Sequence, residues 1–184
     1  MDGPICRVLR SMYSAVKSVV RCGADVSDVI TQMVGLRQGC VLSPCLCSLY
    51  IADLPEFLAQ FGAQGVQLHE KEVRVLLYAD DGALVATSAG DLQLMLDALR
   101  EYCAKWRLFV NVKKTKVIVF HSRFVPKRDR CARFMFNAIG LEQVESFKYL
   151  GVLFSLKGRH KFRECVDFRL EQARRVLGNV AASM

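Results

Sequence analysis

Two β-rich runs, residues 73–78 (VRVLLY) and 83–87 (ALVAT), flank the four residues Ala79-Asp80-Asp81-Gly82. Strand-forming side chains on either side of an Asp/Gly turn predict a β-hairpin. The hairpin limits what its tip can do. Adjacent carboxylates repel one another, so solvent or a cation must offset the pair. Mg²⁺ suits such a tip, because it takes a few carboxylates and fills its shell with waters and phosphates. On these residues alone, a solvated Asp-Asp-Gly turn and a cation site both stay open.

The apolar spacing sets the surroundings of the hairpin. Apolar residues at 5, 8, 9, 12, 16, 19 and 20 predict an amphipathic helix over 4–22, ended by Gly23. A short extended segment is expected over 26–34. Ser43 is a good N-cap and Pro44 suits the first helical position, so a helix should start there and run towards Asp53. Ser88 and Asp91 open a further helix with Leu92, Leu96, Leu99, Cys103 and Trp106 on one face. Strands are expected over 116–121, 133–139 and 147–154, with a turn region at Gly140. An exposed basic loop should cover 123–133. Val166, Leu170, Ala173, Leu177 and Val180 place the tail on a helix. This order gives an α+β fold with an antiparallel sheet and helices packed on one face.

Charge narrows the partner. Residues 1–92 carry 7 Lys/Arg and 10 Asp/Glu, a net −3, whereas residues 93–184 carry 19 and 8, a net +11. A basic half of that size suits a polyanion, since each cation placed on a phosphate releases a counterion. With 52% hydrophobic residues and no Gly/Ser or Pro tract, disorder is excluded as the overall state. No apolar run approaches the roughly 20 residues that span a bilayer, and Arg7, Arg10 and Lys17 interrupt the first apolar stretch as a signal peptide would not allow. The expectation is therefore an intracellular protein, nuclear or cytoplasmic and not secreted, with no membrane partner. The eight cysteines include no C-x-x-C pair, which points to free thiols, with no disulfide and no zinc.

Four blocks in order widen the argument: Gly35-Leu36-Arg37-Gln38-Gly39-Cys40-Val41-Leu42-Ser43-Pro44, Leu77-Tyr78-Ala79-Asp80-Asp81, Asn111-Val112-Lys113-Lys114-Thr115-Lys116 and Phe147-Lys148-Tyr149-Leu150-Gly151-Val152. Together with the Met12-Tyr13 helix, this series resembles the later motifs of the reverse transcriptases of non-LTR, LINE-like retrotransposons. The resemblance implies a right-hand polymerase palm over residues 1–155 and the start of a helical thumb over 156–184. It also implies RNA-directed DNA polymerisation by two-metal nucleotidyl transfer, using an RNA template, a DNA primer and dNTPs. By the same resemblance Asp80 and Asp81 hold Mg²⁺ or Mn²⁺, and Lys114 stands near the nucleotide phosphates. Tyr78 packs near the primer terminus. Arg37, Gln38 and Gly39 approach the template base and incoming nucleotide, while Phe147, Tyr149 and Gly151 grip the primer.

One departure from the family pattern bears on activity. The family's first metal-binding aspartate lies on a strand before the region matching Ile5 to Gly23, and neither that strand nor the fingers is found in these 184 residues. The metal is then expected only in the complete enzyme, and the chain alone is expected not to polymerise. Two readings of another class stand beside the polymerase: a non-catalytic nucleic-acid-binding module using the basic half, and an interaction module whose open sheet edge accepts a complementing fingers/upper-palm segment.

Overall fold

A computed structural model describes residues 3–32, 34–37, 39–120 and 132–156, together with Val166, Leu170, Glu171 and Arg174. The chain divides into two compact units. One comprises residues 1–53 and 76–83; the other comprises 54–75 and 84–184.

The first unit opens on α1 (Pro4–Tyr13), with Pro4 in the first turn, where a missing N–H costs nothing. The helix is shorter than its apolar spacing predicts. From Val16 the β-branched residues favour extended backbone. There β1 (Val16–Ser18), β2 (Arg21–Cys22), β3 (Asp25–Val26) and β4 (Ile30–Gln32) follow. β1 pairs antiparallel with β4, and β2 with β3, so Gly23 closes a small hairpin instead of ending a helix. The loop to Cys40 leads into α2 (Ser43–Tyr50). Ser43 does not cap it: the residue before the helix is Leu42, and the Ser43 hydroxyl donates to the Arg37 carbonyl at 2.7 Å. The helix stops three residues short of Asp53.

The second unit starts with α3 (Leu54–Gln60), followed by the hairpin of β5 (Val66–Leu68) and β6 (Lys71–Val73). Gly65 is the tight point. A Cβ there would stand 2.3 Å from the Val73 carbonyl oxygen, so no other residue fits without moving backbone. Glu72 accepts from the Gly65 amide and pairs with Arg74, both at 2.6 Å. Arg74 Nε in turn donates to the Ala63 carbonyl at 2.9 Å. Strands β7 (Val75–Tyr78) and β8 (Asp81–Leu84), whose residues 76–83 belong to the first unit, form the hairpin expected from the sequence, with a shorter turn of two residues, Ala79 and Asp80.

Helix α4 (Ala89–Trp106) begins as its sequence predicts: Ser88 caps it by accepting from the Asp91 amide at 3.1 Å. Its inner face buries Met95, Leu96, Ala98, Tyr102 and Cys103. Leu58 and Tyr102 are fully buried, and Phe57 meets the Tyr102 ring edge-on with centroids 5.3 Å apart. On the other side Leu96 joins Val117, Phe134, Phe136 and Leu141 in a second cluster. That cluster is fed by β9 (Lys116–Val117), β10 (Met135–Phe136), β11 (Ile139–Gly140) and β12 (Glu142–Gln143).

β9 and β12 are parallel, with Lys116 opposite Glu142 and ion-paired to it. β10 and β11 turn at Asn137-Ala138, where both residues are left-handed, so Gly140 lies in a strand and not at the turn expected there. Gln93 of α4 extends the order outward. Its carboxamide donates to the Met135 carbonyl and accepts from the Met135 amide, each at 3.0 Å, replacing a neighbouring strand's peptide. Residues 147–154, read as one extended run, form a hairpin of β13 (Ser146–Tyr149) and β14 (Val152–Ser155).

All strand pairings among the described residues are two-stranded, so the content is mixed helix and strand but no larger sheet is assembled. Of the predicted 116–121 strand, Lys116 and Val117 are in a strand and His121 lies outside the described residues. Most of the basic loop also lies outside them, as do Ala173, Leu177 and Val180. Val166, Leu170, Glu171 and Arg174 are helical.

Candidate functional site

The hairpin tip belongs to the first unit. Tyr78 ends β7 and is 64% exposed, while Asp80 and Asp81 are both exposed. The tip is asymmetric: Asp80 is in the turn and Asp81 already in β8, whereas the sequence reading placed both at the tip. Ala79 is left-handed (φ 51°), a conformation unusual for a residue with a Cβ and concentrated at working sites. Its carbonyl accepts from the Cys47 thiol of α2 at 3.6 Å. Sequence reasoning assigns Cys47 no role, because nothing local tells which carbonyl of a distant turn needs a partner.

Neither the Asp80 nor the Asp81 carboxylate has an ion-pair or hydrogen-bond partner among the described residues. Exposed carboxylates at two consecutive positions are the donor type taken by a hard divalent cation that completes its shell with water and phosphate oxygens. They do not make a closed cage: among the described residues no three Asp, Glu, His or Cys side chains converge.

Another part of the first unit holds the Gly35–Cys40 loop. The Tyr13 hydroxyl of α1 donates to Cys40 Sγ at 3.6 Å and stands 3.4 Å from Ser43 Oγ. That hydrogen bond, helped by the Leu42 amide, holds the Cys40 thiol below the usual thiol range. With Ser43 on the Arg37 carbonyl, the loop is anchored at both ends. Gly39 is left-handed (φ 77°), so the glycine gives a backbone course that a side chain would oppose. Arg37 and Gly39 are exposed; Gln38 lies outside the described residues.

The remaining candidates lie in the second unit. Lys114 is exposed on a turn closed by its own amide donating to the Asn111 carbonyl at 3.0 Å. Phe147 and Tyr149 are half-buried on β13, opposite Phe154 and Val152 of β14. Leu150 and Gly151 make the turn, both left-handed (φ 47° and 77°). The structure therefore groups Arg37, Gly39, Tyr78, Asp80 and Asp81 in one unit, and Lys114, Phe147, Tyr149 and Gly151 in the other.

Comparison with known proteins gives the family. Residues 4–154 match the reverse transcriptase (RNA-dependent DNA polymerase) family. The chain is 33% identical over 153 residues to the RNA-directed DNA polymerase from mobile element jockey of Drosophila funebris, covering 80% of this chain and 16% of that protein. It is 31% identical over 155 residues to the probable RNA-directed DNA polymerase from transposon BS of Drosophila melanogaster, covering 81% and 16%. Over 152 residues it is 31% identical to the transposon TX1 uncharacterized 149 kDa protein of Xenopus laevis, covering 80% and 11%. The chain thus spans less than a fifth of the length of these relatives. Among the described residues no helix is long and apolar enough to cross a membrane. Four motif blocks, an open carboxylate pair on a hairpin and a family match from residue 4 to residue 154 agree, and the chain belongs to the reverse transcriptase family, among the enzymes of non-LTR, LINE-like retrotransposons.

Proposed function

We propose that this chain is the part of a polymerase palm that holds a catalytic divalent ion, with residues 156–184 beginning the thumb. The parent enzyme is an RNA-directed DNA polymerase acting in the nucleus or cytoplasm. The observation that carries this reading is the Asp80–Asp81 pair, its carboxylates without partners among the described residues, on a hairpin inside a family match of 151 residues. In the parent enzyme Asp80, with Asp81 beside it, would hold Mg²⁺ or Mn²⁺. The ion supplies charge stabilisation to the phosphoryl group being transferred.

This chain's own residues would do the rest. Arg37, Gln38 and Gly39 would lie against the template base and incoming dNTP, and Tyr78 against the primer end. Lys114 would neutralise or protonate the leaving pyrophosphate. Phe147, Tyr149 and Gly151 would hold the primer strand. Two-metal transfer needs carboxylates from more than one strand. The further carboxylate is therefore proposed to come from a fingers/upper-palm segment outside these residues.

Primer extension tests the reading. The purified 184-residue protein is expected to extend no primer with Mg²⁺ or Mn²⁺; extension abolished by Asp80→Ala would overturn the proposed dependence on another segment. Co-expression with a fingers/upper-palm segment should restore template-dependent extension, and Asp80→Asn should then lower it by about 100-fold or more. Restored extension that ignores Asp80→Asn would refute the metal role. The net charge of +11 over residues 93–184 favours a second reading, a non-catalytic nucleic-acid-binding module. Salt-dependent binding that never responds to Mg²⁺, with no extension in any complemented form, would select it.

A further inference from the structure

Phe109, in the loop that leaves α4, is 97% exposed. Isolated exposed apolar residues are ordinary and need no function. This one differs because both its neighbours are held. On the N-terminal side, Arg107 caps α4 in the left-handed conformation (φ 53°), its amide returning to the Cys103 carbonyl. The Leu108 amide reaches the same carbonyl at 2.9 Å. On the C-terminal side, Val110 and Val112 pack against the cluster of Leu96, Val117 and Phe134. The next turn is closed by the Lys114 and Thr115 amides, both 3.0 Å from the Asn111 carbonyl. A ring fixed this way is presented to solvent, and folding it inward would break the anchors on one side.

The charge of the neighbouring sequence is one-sided. Residues 102–120 contain Lys105, Arg107, Lys113, Lys114 and Lys116, and no Asp or Glu. Lys105 stands over the Phe57 and Trp106 rings, and Lys116 pairs with Glu142. Arg107, Lys113 and Lys114 have no anionic partner among the described residues. An apolar protein partner would use the ring and leave these cations unmatched. A single nucleic-acid strand uses both, stacking a base on the ring while its phosphates meet the cations.

We propose that Phe109, flanked by Arg107 and Lys113, is a stacking platform for one base of a single-stranded stretch of RNA or DNA. The proposal rests on the nucleic-acid reading of the chain, and gives a role to Phe109, Arg107 and Lys113, to which that reading assigns none.

Fluorescence anisotropy on the 184-residue protein tests it, with labelled oligo-U and oligo-dT of about 12 nucleotides at low salt. Phe109→Ala and Phe109→Leu should each weaken binding by about 5- to 150-fold, the leucine keeping apolar bulk and losing only the stacking face. Phe109→Trp should retain it. Arg107→Ala and Lys113→Ala should each lower the salt slope by about one. The RNA and DNA arms show which strand the platform takes, and loss in either supports it.

Trp106 is the chain's single tryptophan, so the Phe109→Trp minus wild-type spectrum isolates the new ring. Its emission should be that of an indole in water, and should be quenched by the oligonucleotide. An emission shifted as in a buried ring without oligonucleotide means that the chain covers position 109 itself, which overturns the platform. Wild-type binding unchanged in Phe109→Leu overturns the platform alone. Wild-type protein that binds neither oligonucleotide overturns it together with the nucleic-acid reading. Self-association that is insensitive to salt and lost in Phe109→Leu would assign the ring to an apolar protein partner instead.

Discussion

The unit around α4 and the unit bearing Asp80 are built on different terms. Among the described residues, every buried apolar one lies in the α4 unit, including Leu58, Met95, Tyr102 and Phe134. In the unit of residues 1–53 and 76–83, no described residue is buried; Val34 and Val41 are each 91% exposed. Burial of apolar surface is the main favourable term in folding. The α4 unit therefore supplies its own stability. The other is held mostly by local backbone pairing and a few polar contacts, such as Tyr13 to Cys40 and Cys47 to Ala79. The difference teaches that the carboxylates proposed to hold the ion, Asp80 and Asp81, are carried by the unit with the least burial to hold them, while Lys114 and the β13–β14 hairpin stand on the unit with the core. Local stability should follow the same division, with amides of the first unit exchanging sooner than those of α4.

The strongest way to break this comparison is Met95→Ala. Met95 is fully buried, so truncation should destabilise the protein by about 2–5 kcal/mol, read by denaturant unfolding. A loss under about 0.5 kcal/mol would show that the α4 unit has no tight core. Gly65→Ala comes next. Its Cβ would overlap the Val73 carbonyl, and the backbone shift should cost about 1–3 kcal/mol in the same measurement.

Asp91 sharpens the comparison through pH. The Ser88 hydroxyl, and after it the Gln64 amide, hold its carboxyl below the usual carboxylate range. A depressed folded value means stability that is present above the unfolded value of about 4 and lost as pH falls through the folded one. Asp91→Asn should thus cost about 1 kcal/mol at neutral pH, with the gap to wild type closing on acidification below about pH 4. A gap constant down to low pH would show that the charge contributes nothing. The smallest effect is expected from Val41→Ala, within about 0.5 kcal/mol, because Val41 has almost no contact to lose. A cost near that of Met95→Ala would mean that the first unit buries its apolar side chains after all.

What was legible in the sequence follows from range. The α4 start was readable because Ser88 and Asp91 are three residues apart and their bond is local. The hairpin was readable because strand-forming runs flank an Asp-containing turn. The end of α1 was not, since apolar spacing at 16, 19 and 20 fits a helix as well as the β-branched strand that forms. Ser43 failed as a cap because a carbonyl six residues back competes for its hydroxyl. Gln93 as a stand-in peptide for Met135 could not be read at all, its partner being 42 residues away. Of the site, the residue types and order were legible. Their distribution between two units depends on tertiary contacts that no local pattern encodes.

The left-handed backbone at Ala79 reaches beyond shape. A methyl side chain tolerates φ 51° at modest cost, whereas a side chain branched at Cβ crowds its own carbonyl there. Copying errors that put valine or isoleucine at codon 79 would thus meet a steric filter unconnected with the carboxylates beside it. The alphabet allowed between Tyr78 and Asp80 is set by the bend of the chain, and a lineage of such elements would inherit that restriction even where the position touches no substrate.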